Sequence, residues 1–212
     1  KREGWHYALT GKDAELKING IVYNEMKGAF SSPSRQLGYH TDKALFPGNT
    51  YGYSSGGYPD AIPNLTSEAF LKFHKTYYHP SNSYIFLNGD GELMEELKHI
   101  DTHFLSKFDK SDADTRIRFH KPFKKLKEVT CDYAVSANEK MKGKTWLRYS
   151  VVTNKAKNYD ETLAMQMLAD MLINNQAAPV RRAMMKAGIG KEVMGGYGIS
   201  LQGTFTVTIK GA

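Results

Sequence analysis

The stretch Gly20-Ile21-Val22-Tyr23-Asn24-Glu25-Met26-Lys27-Gly28-Ala29-Phe30-Ser31-Ser32-Pro33 sets a short apolar run directly against an amide and a single carboxylate. Ile21-Val22-Tyr23 fits a strand or the start of a buried helix, since so short a run carries no period that separates them. Ser31-Ser32-Pro33-Ser34 opens a second helix that runs to about Leu45, with Pro33 at a tolerated first-turn position. Glu25 has two readings. Alone beside an apolar run it is a solvated surface carboxylate. As a ligand it supplies the one acidic oxygen that completes a two-histidine zinc site and leaves a fourth position for water.

The flanking motifs favour the second reading. Gly4-Trp5-His6-Tyr7 lies upstream, and Asn49-Thr50-Tyr51-Gly52, Ser55-Gly56-Gly57-Tyr58-Pro59, Ile62-Pro63-Asn64-Leu65-Thr66 and Tyr77-Tyr78-His79-Pro80-Ser81-Asn82 follow. Together they resemble the pitrilysin-type zinc metallopeptidases, the presequence-protease branch in particular. The resemblance implies zinc held by an inverted H-x-x-E-H helix and by a more distant glutamate in a V-x-N-E-M-K-G setting. Glu25 stands at that third ligand, with Asn24 and Lys27 as neighbours that orient it.

No H-x-x-E-H occurs in the 212 residues. The expectation is therefore an internal piece of a longer zinc metalloendopeptidase, with an incomplete zinc site and no activity of its own. Its substrates would be unfolded oligopeptides held between two halves of a hollow shell, and its other partner the remainder of the same polypeptide. Ala178-Pro179-Val180-Arg181-Arg182-Ala183 and Ala187-Gly188-Ile189-Gly190 resemble the start of the family's second, non-catalytic domain. The implied organisation is residues 1–112 as the C-terminal part of the catalytic domain, 113–128 as a linker and 129–212 as the N-terminal part of the second domain. The implied fold is α+β, with helices packed on mainly antiparallel sheets in pitrilysin-like α/β sandwich domains, both incomplete.

Composition narrows the classes. A hydrophobic share of 41% is ordinary for a chain that buries a core. No apolar run reaches the ~18 residues of a membrane helix, and the start, Lys-Arg-Glu-Gly-Trp-His, lacks the apolar core of a signal peptide. The single cysteine, Cys131, excludes an internal disulfide and suits a reducing compartment. That points to the cytoplasm, or alternatively the mitochondrial matrix or another organelle. Cys131 reads as a small buried hydrophobe in a strand rather than a nucleophile. The net charge of +7 divides as −2 over residues 1–112 and +9 over 113–212. Such asymmetry can mark a nucleic-acid surface, and equally one lobe of a larger protein, the reading adopted here.

The patterns along the chain give the elements. The stretch from Phe46 to Asn64 is a long loop rich in glycine and proline. Thr66 caps a helix whose stripe is Phe70, Phe73 and Tyr77, and Pro80 stops it. Ser83 to Asn88 reads as a strand, and Leu93, Leu97, Ile100 and Phe104 line a helix. Further strands are expected at Val129–Ser136 and at Thr145–Val152. Asn158 opens a helix with Tyr159, Leu163, Met167, Leu168 and Met171 as its stripe; a helix after Pro179 ends at Gly188. Gly195-Gly196-Tyr197-Gly198 reads as a turn or bulge, and Thr204 to Ile209 alternates as a strand.

Other constellations have plainer readings. His99 and His103 stand four apart on a helix, the spacing that lets two imidazoles share a metal. Asp101, however, stands where neither zinc motif places its acid, and both histidines fall beside the apolar stripe, toward solvent. His79 before Pro80 reads as a structural residue of the turn. Arg116 to Lys127, with Phe119 and Phe123 among its basic residues, has the makings of a single-strand nucleic-acid surface but reads as a solvated linker, so nucleic acid is not an expected partner. The rival class is a non-catalytic module that grips peptide or nucleic acid through its basic second half.

Overall fold

Gly20 separates a strand from a helix, which settles the reading of Ile21-Val22-Tyr23. In the computed structural model, which describes residues 3–212, β1 (His6–Ala8) pairs antiparallel with β2 (Lys17–Asn19), and α1 (Ile21–Ala29) begins two residues later. The first amides of a helix have no partner within it. Here Val22 N donates to the Glu3 carbonyl at 2.8 Å and Tyr23 N to the Gly4 carbonyl at 3.2 Å. The apolar run is helical because the preceding segment caps it.

The chain divides into two units by its contacts: the described residues up to Ile62 together with Arg118–Ala212, and Pro63–Ile117. In the first unit α1 is followed by α2 (Pro33–Leu45), with Pro33 in its first turn. The second half of this unit is a three-stranded antiparallel sheet in the order β3-β5-β4, from β3 (Trp146–Lys155), β4 (Glu192–Ile199) and β5 (Gln202–Lys210). α5 (Tyr159–Ala169), a π-helical turn at Asp170–Asn174 and α6 (Pro179–Lys186) lie between β3 and β4 in the chain. Ile173, Val193, Val207 and Ile209 form the buried core, with Leu172, Val180, Met184 and Phe205 packed on it.

Close approach fixes one residue type. A Cβ on Gly195 would meet Ile173 Cδ1 at 2.9 Å and collide with the Thr206 carbonyl. Gly195-Gly196-Tyr197-Gly198 is therefore the middle of β4, not a turn: glycine lets the π-helical turn sit directly on the strand.

α5 corrects a second expectation. Tyr159, Leu163, Met167, Leu168 and Met171 face outward, Tyr159 at 80% exposure and Met171 at 65%. The inward residues are Thr162, Met165, Ala169, Leu172 and Ile173. The helix carries two apolar stripes, and the smaller side chains won the sheet because they allow the close approach at Gly195. Asn158 precedes this helix without capping it; its amide donates to Glu161 instead.

In the second unit α3 (Ser67–Tyr77) begins as expected, with Thr66 Oγ1 accepting from Ala69 N at 3.1 Å. α4 (Leu93–His103) forms where expected, with Phe104 just past its end and Leu93, Leu97 and Phe104 exposed. His79 Nδ1 accepts from Ser81 N at 3.2 Å, a turn role. The strand expected at Ser83–Asn88 does not form: no ladder includes it, and Tyr84 and Phe86 are almost wholly exposed. A strand without a neighbouring strand has no partner for its amides. The same holds for Val129–Ser136 in the first unit, and half-buried Cys131 therefore lies outside any strand. Burial and Asp132 push its thiol up, which keeps it a poor nucleophile.

None of residues 63–117 is buried. Across the described residues 11 hydrophobic side chains are buried while 38 large ones are exposed. The accessible surface is 16695 Å², against the ~9,900 Å² of a self-contained monomer of this size. The exposed large hydrophobic side chains contribute part of this surface.

Candidate metal-ligand site on the first helix

α1 is held from one side only. Met26 and Phe30 are buried with Ile62, and Trp5, Tyr23, Tyr39 and Tyr58 pack on them. Phe30 meets Tyr39 edge-on at 5.4 Å and Tyr58 edge-on at 5.0 Å, while Tyr39 and Tyr58 stack at 4.5 Å. These aromatic pairs tie α2 and the long loop to the inner face of α1.

The outer face carries Ile21, Val22, Glu25, Gly28 and Ala29, all exposed. Ile21 is 60% exposed. One carboxylate thus projects from a helix face that is otherwise apolar, next to a residue, Met26, fixed in the core. Asn24 Nδ2 donates to Asn19 Oδ1 at 2.6 Å, and the same oxygen accepts from Gly20 N at 2.8 Å, so the helix start is tied to the end of β2. Lys27 is exposed in the last turn, where a cation complements the helix dipole.

The turn into α1 depends on Gly20. Its φ is 154°, and a Cβ there would lie 2.6 Å from Trp5 Cα and strike the Gly4 carbonyl that accepts from Tyr23. Gly20→Ala should cost about 1–3 kcal/mol and loosen the Glu25 helix; an unchanged urea midpoint would count against this account of the turn.

The same core contains a titrating group. His40 lies against Tyr39 and Tyr58, and burial, helped by nearby Lys43, holds its imidazole below its ordinary value, which is about 6.5. The folded state thus binds the proton more weakly than the unfolded chain. The stabilisation is present above about pH 6.5 and is lost as pH falls through the lowered value. His40→Phe should flatten this part of the profile, read as the difference in melting temperature between pH 7.5 and 5.5. Equal differences in wild type and variant would refute it.

Among the described residues no group of three His, Cys, Asp or Glu side chains is placed to hold a metal. Among the described residues Glu25 therefore has no companion ligands placed beside it. Its chemistry suits one position of a zinc site, an anionic oxygen on a fixed backbone. Nor, among the described residues, is any helix long and apolar enough to cross a membrane.

The family model described as the peptidase M16 inactive domain matches residues 64–212, more than half the chain. A protein called HypA from Clostridium perfringens is 44% identical over 212 residues, covering 100% of this chain and 22% of that protein. Presequence protease 1, chloroplastic/mitochondrial, of Arabidopsis thaliana is 35% identical over 217 residues, with 100% and 20% covered. The mitochondrial presequence protease of Danio rerio is 32% identical, with 99% and 21% covered. This chain thus spans about a fifth of the length of these relatives. A protease from Helicobacter pylori of solved structure shares the fold, with a TM-score of 0.54, 18% identity, and 91% of this chain and 46% of that one covered. Glu25 lies before the residues matched by the family model, but inside the alignments that span the whole chain.

Proposed function

Because this chain belongs to the M16 peptidase family, we propose that it forms part of a zinc metalloendopeptidase that degrades unfolded oligopeptides, with Glu25 as the third zinc ligand. The observation that carries this reading is the lone exposed carboxylate on an otherwise apolar helix face, pinned from behind by Met26 and Phe30. An apolar surface is the kind another helix covers, and a helix bearing H-x-x-E-H would bring two histidines beside Glu25. When bound, zinc supplies polarisation of a peptide carbonyl and acidification of its water.

The chain's own residues do the positioning. Met26 and Phe30 fix where the Glu25 side chain leaves the helix, Asn24 ties the helix start to β2, and Lys27 is exposed in the last turn. The 212 residues alone are inactive, in keeping with a family model described as an inactive domain. We assign residues 1–112 to the C-terminal part of the catalytic domain, 113–128 to a linker and 129–212 to the start of the second domain. The remaining polypeptide covers the exposed apolar stripes of α3, α4 and α5 and supplies the rest of the chamber wall. The cytoplasm is the proposed compartment, or alternatively the mitochondrial matrix or another organelle; the plant and fish relatives are named chloroplastic/mitochondrial and mitochondrial. The test replaces Glu25 in a polypeptide that joins this chain to an H-x-x-E-H segment, reading zinc content and peptide cleavage together.

A further inference from the structure

α4 presents a second arrangement of ligand side chains, in the other unit. His99 and His103 are both exposed, and their ring centroids lie 4.3 Å apart with an interplanar angle of 40°. Neither ring has a hydrogen-bond partner among the described residues. At 100° per residue they lie about 130° and 90° around the helix from the centre of the stripe formed by Leu93, Leu97, Ile100 and Phe104. Covering that stripe would therefore leave the pair open to solvent.

From the geometry we infer that His99 and His103 chelate one divalent late first-row ion, Cu²⁺ or Ni²⁺ by preference, with water filling the other positions. A metal–nitrogen bond of about 2.0 Å puts an imidazole centroid about 3.2 Å from the ion. Two such rings at a cis angle of 90° have centroids about 4.5 Å apart, and at the tetrahedral angle about 5.2 Å. The observed spacing is within a few tenths of an ångström of the cis arrangement, the one that tetragonal Cu²⁺ and Ni²⁺ accept. Among the described residues no third His, Cys, Asp or Glu, including Glu95 one turn earlier on the same stripe, is placed to complete a three-ligand group with them, and the Glu96 carboxylate folds back over Gly91. Asp101 lies between the two histidines in sequence and projects from another side of the helix. The pair is thus bidentate.

The site is independent of Glu25, so its test and that of the zinc reading fail separately. The chain is titrated with NiCl₂ at pH 7.5, where ordinary imidazoles are neutral, and binding is followed by calorimetry and by the far-ultraviolet helix signal. The expected result is saturable binding of one ion with a gain in helix signal. His99→Ala and His103→Ala should each weaken it on the order of tenfold or more, and Glu25→Gln should leave it unchanged. Asp101→His combined with His103→Ala keeps the histidine number but puts the rings about 200° apart on the helix; it should bind as poorly as His103→Ala. No saturation at millimolar Ni²⁺, or affinity unchanged in the single variants or the relocated pair, would overturn the inference.

Discussion

Glu25→Gln should lower peptide cleavage at least about a hundredfold in the polypeptide that pairs this chain with an H-x-x-E-H segment. Stability should stay within about 0.5 kcal/mol of wild type, as for an ordinary surface substitution. The side chain is exposed on α1 and makes no core contact, so the fold has little to lose. A zinc site loses the one anionic oxygen that offsets the metal's charge, and an amide oxygen does not replace it. Asn24→Ala removes one of the two donors to the Asn19 oxygen that ties the helix start to β2 and should produce a smaller loss. Cleavage by Glu25→Gln within twofold of wild type would show that this carboxylate is a surface residue and nothing more.

Ile173→Ala should cost about 4 kcal/mol, in the upper part of the range for isoleucine truncated in a rigid core. Ile173 has no exposed surface and packs among Val193, Val207 and Ile209. Its δ-carbon also fills the space over Gly195, so the site is bounded by a strand backbone that collapses poorly. Against a typical total of 5–15 kcal/mol, this change removes much of the stability of the sheet half. Met167→Ala, on the outer stripe of the same helix, should change the urea midpoint of this chain by no more than about 0.5 kcal/mol. The stripe read from the pattern makes the opposite assignment. A large cost at Met167 with little at Ile173 would mean that the helix packs through its other face.

Local signals in the sequence specify structure where the chemistry is local. Thr66 caps α3 through its own hydroxyl, Pro33 starts α2, and β5 keeps the alternation of Phe205, Val207 and Ile209. The α+β class with antiparallel strands followed from such signals, while the strand order did not. Features that depend on distant partners were not legible. Ser83–Asn88 and Val129–Ser136 have strand composition, but pairing needs an edge that composition does not reveal. α5 has two apolar stripes of comparable strength, and the glycines of β4 decide between them across a sequence distance that a helical period cannot span. The proposal for Glu25 rests on the motif around it, since a single carboxylate has no signature of its own. The apolar face around it became visible only once Ile21-Val22-Tyr23 was seen to be helical.

The most direct test of Glu25 as a ligand is zinc stoichiometry by elemental mass spectrometry. It is measured on the polypeptide carrying both the H-x-x-E-H segment and this chain, with His99→Ala and His103→Ala present so that α4 contributes no metal. About one zinc per chain with Glu25 in place, falling well below half in Glu25→Gln after dialysis against a weak chelator, is the predicted result. Full zinc retention without the carboxylate, with cleavage intact, would contradict the account.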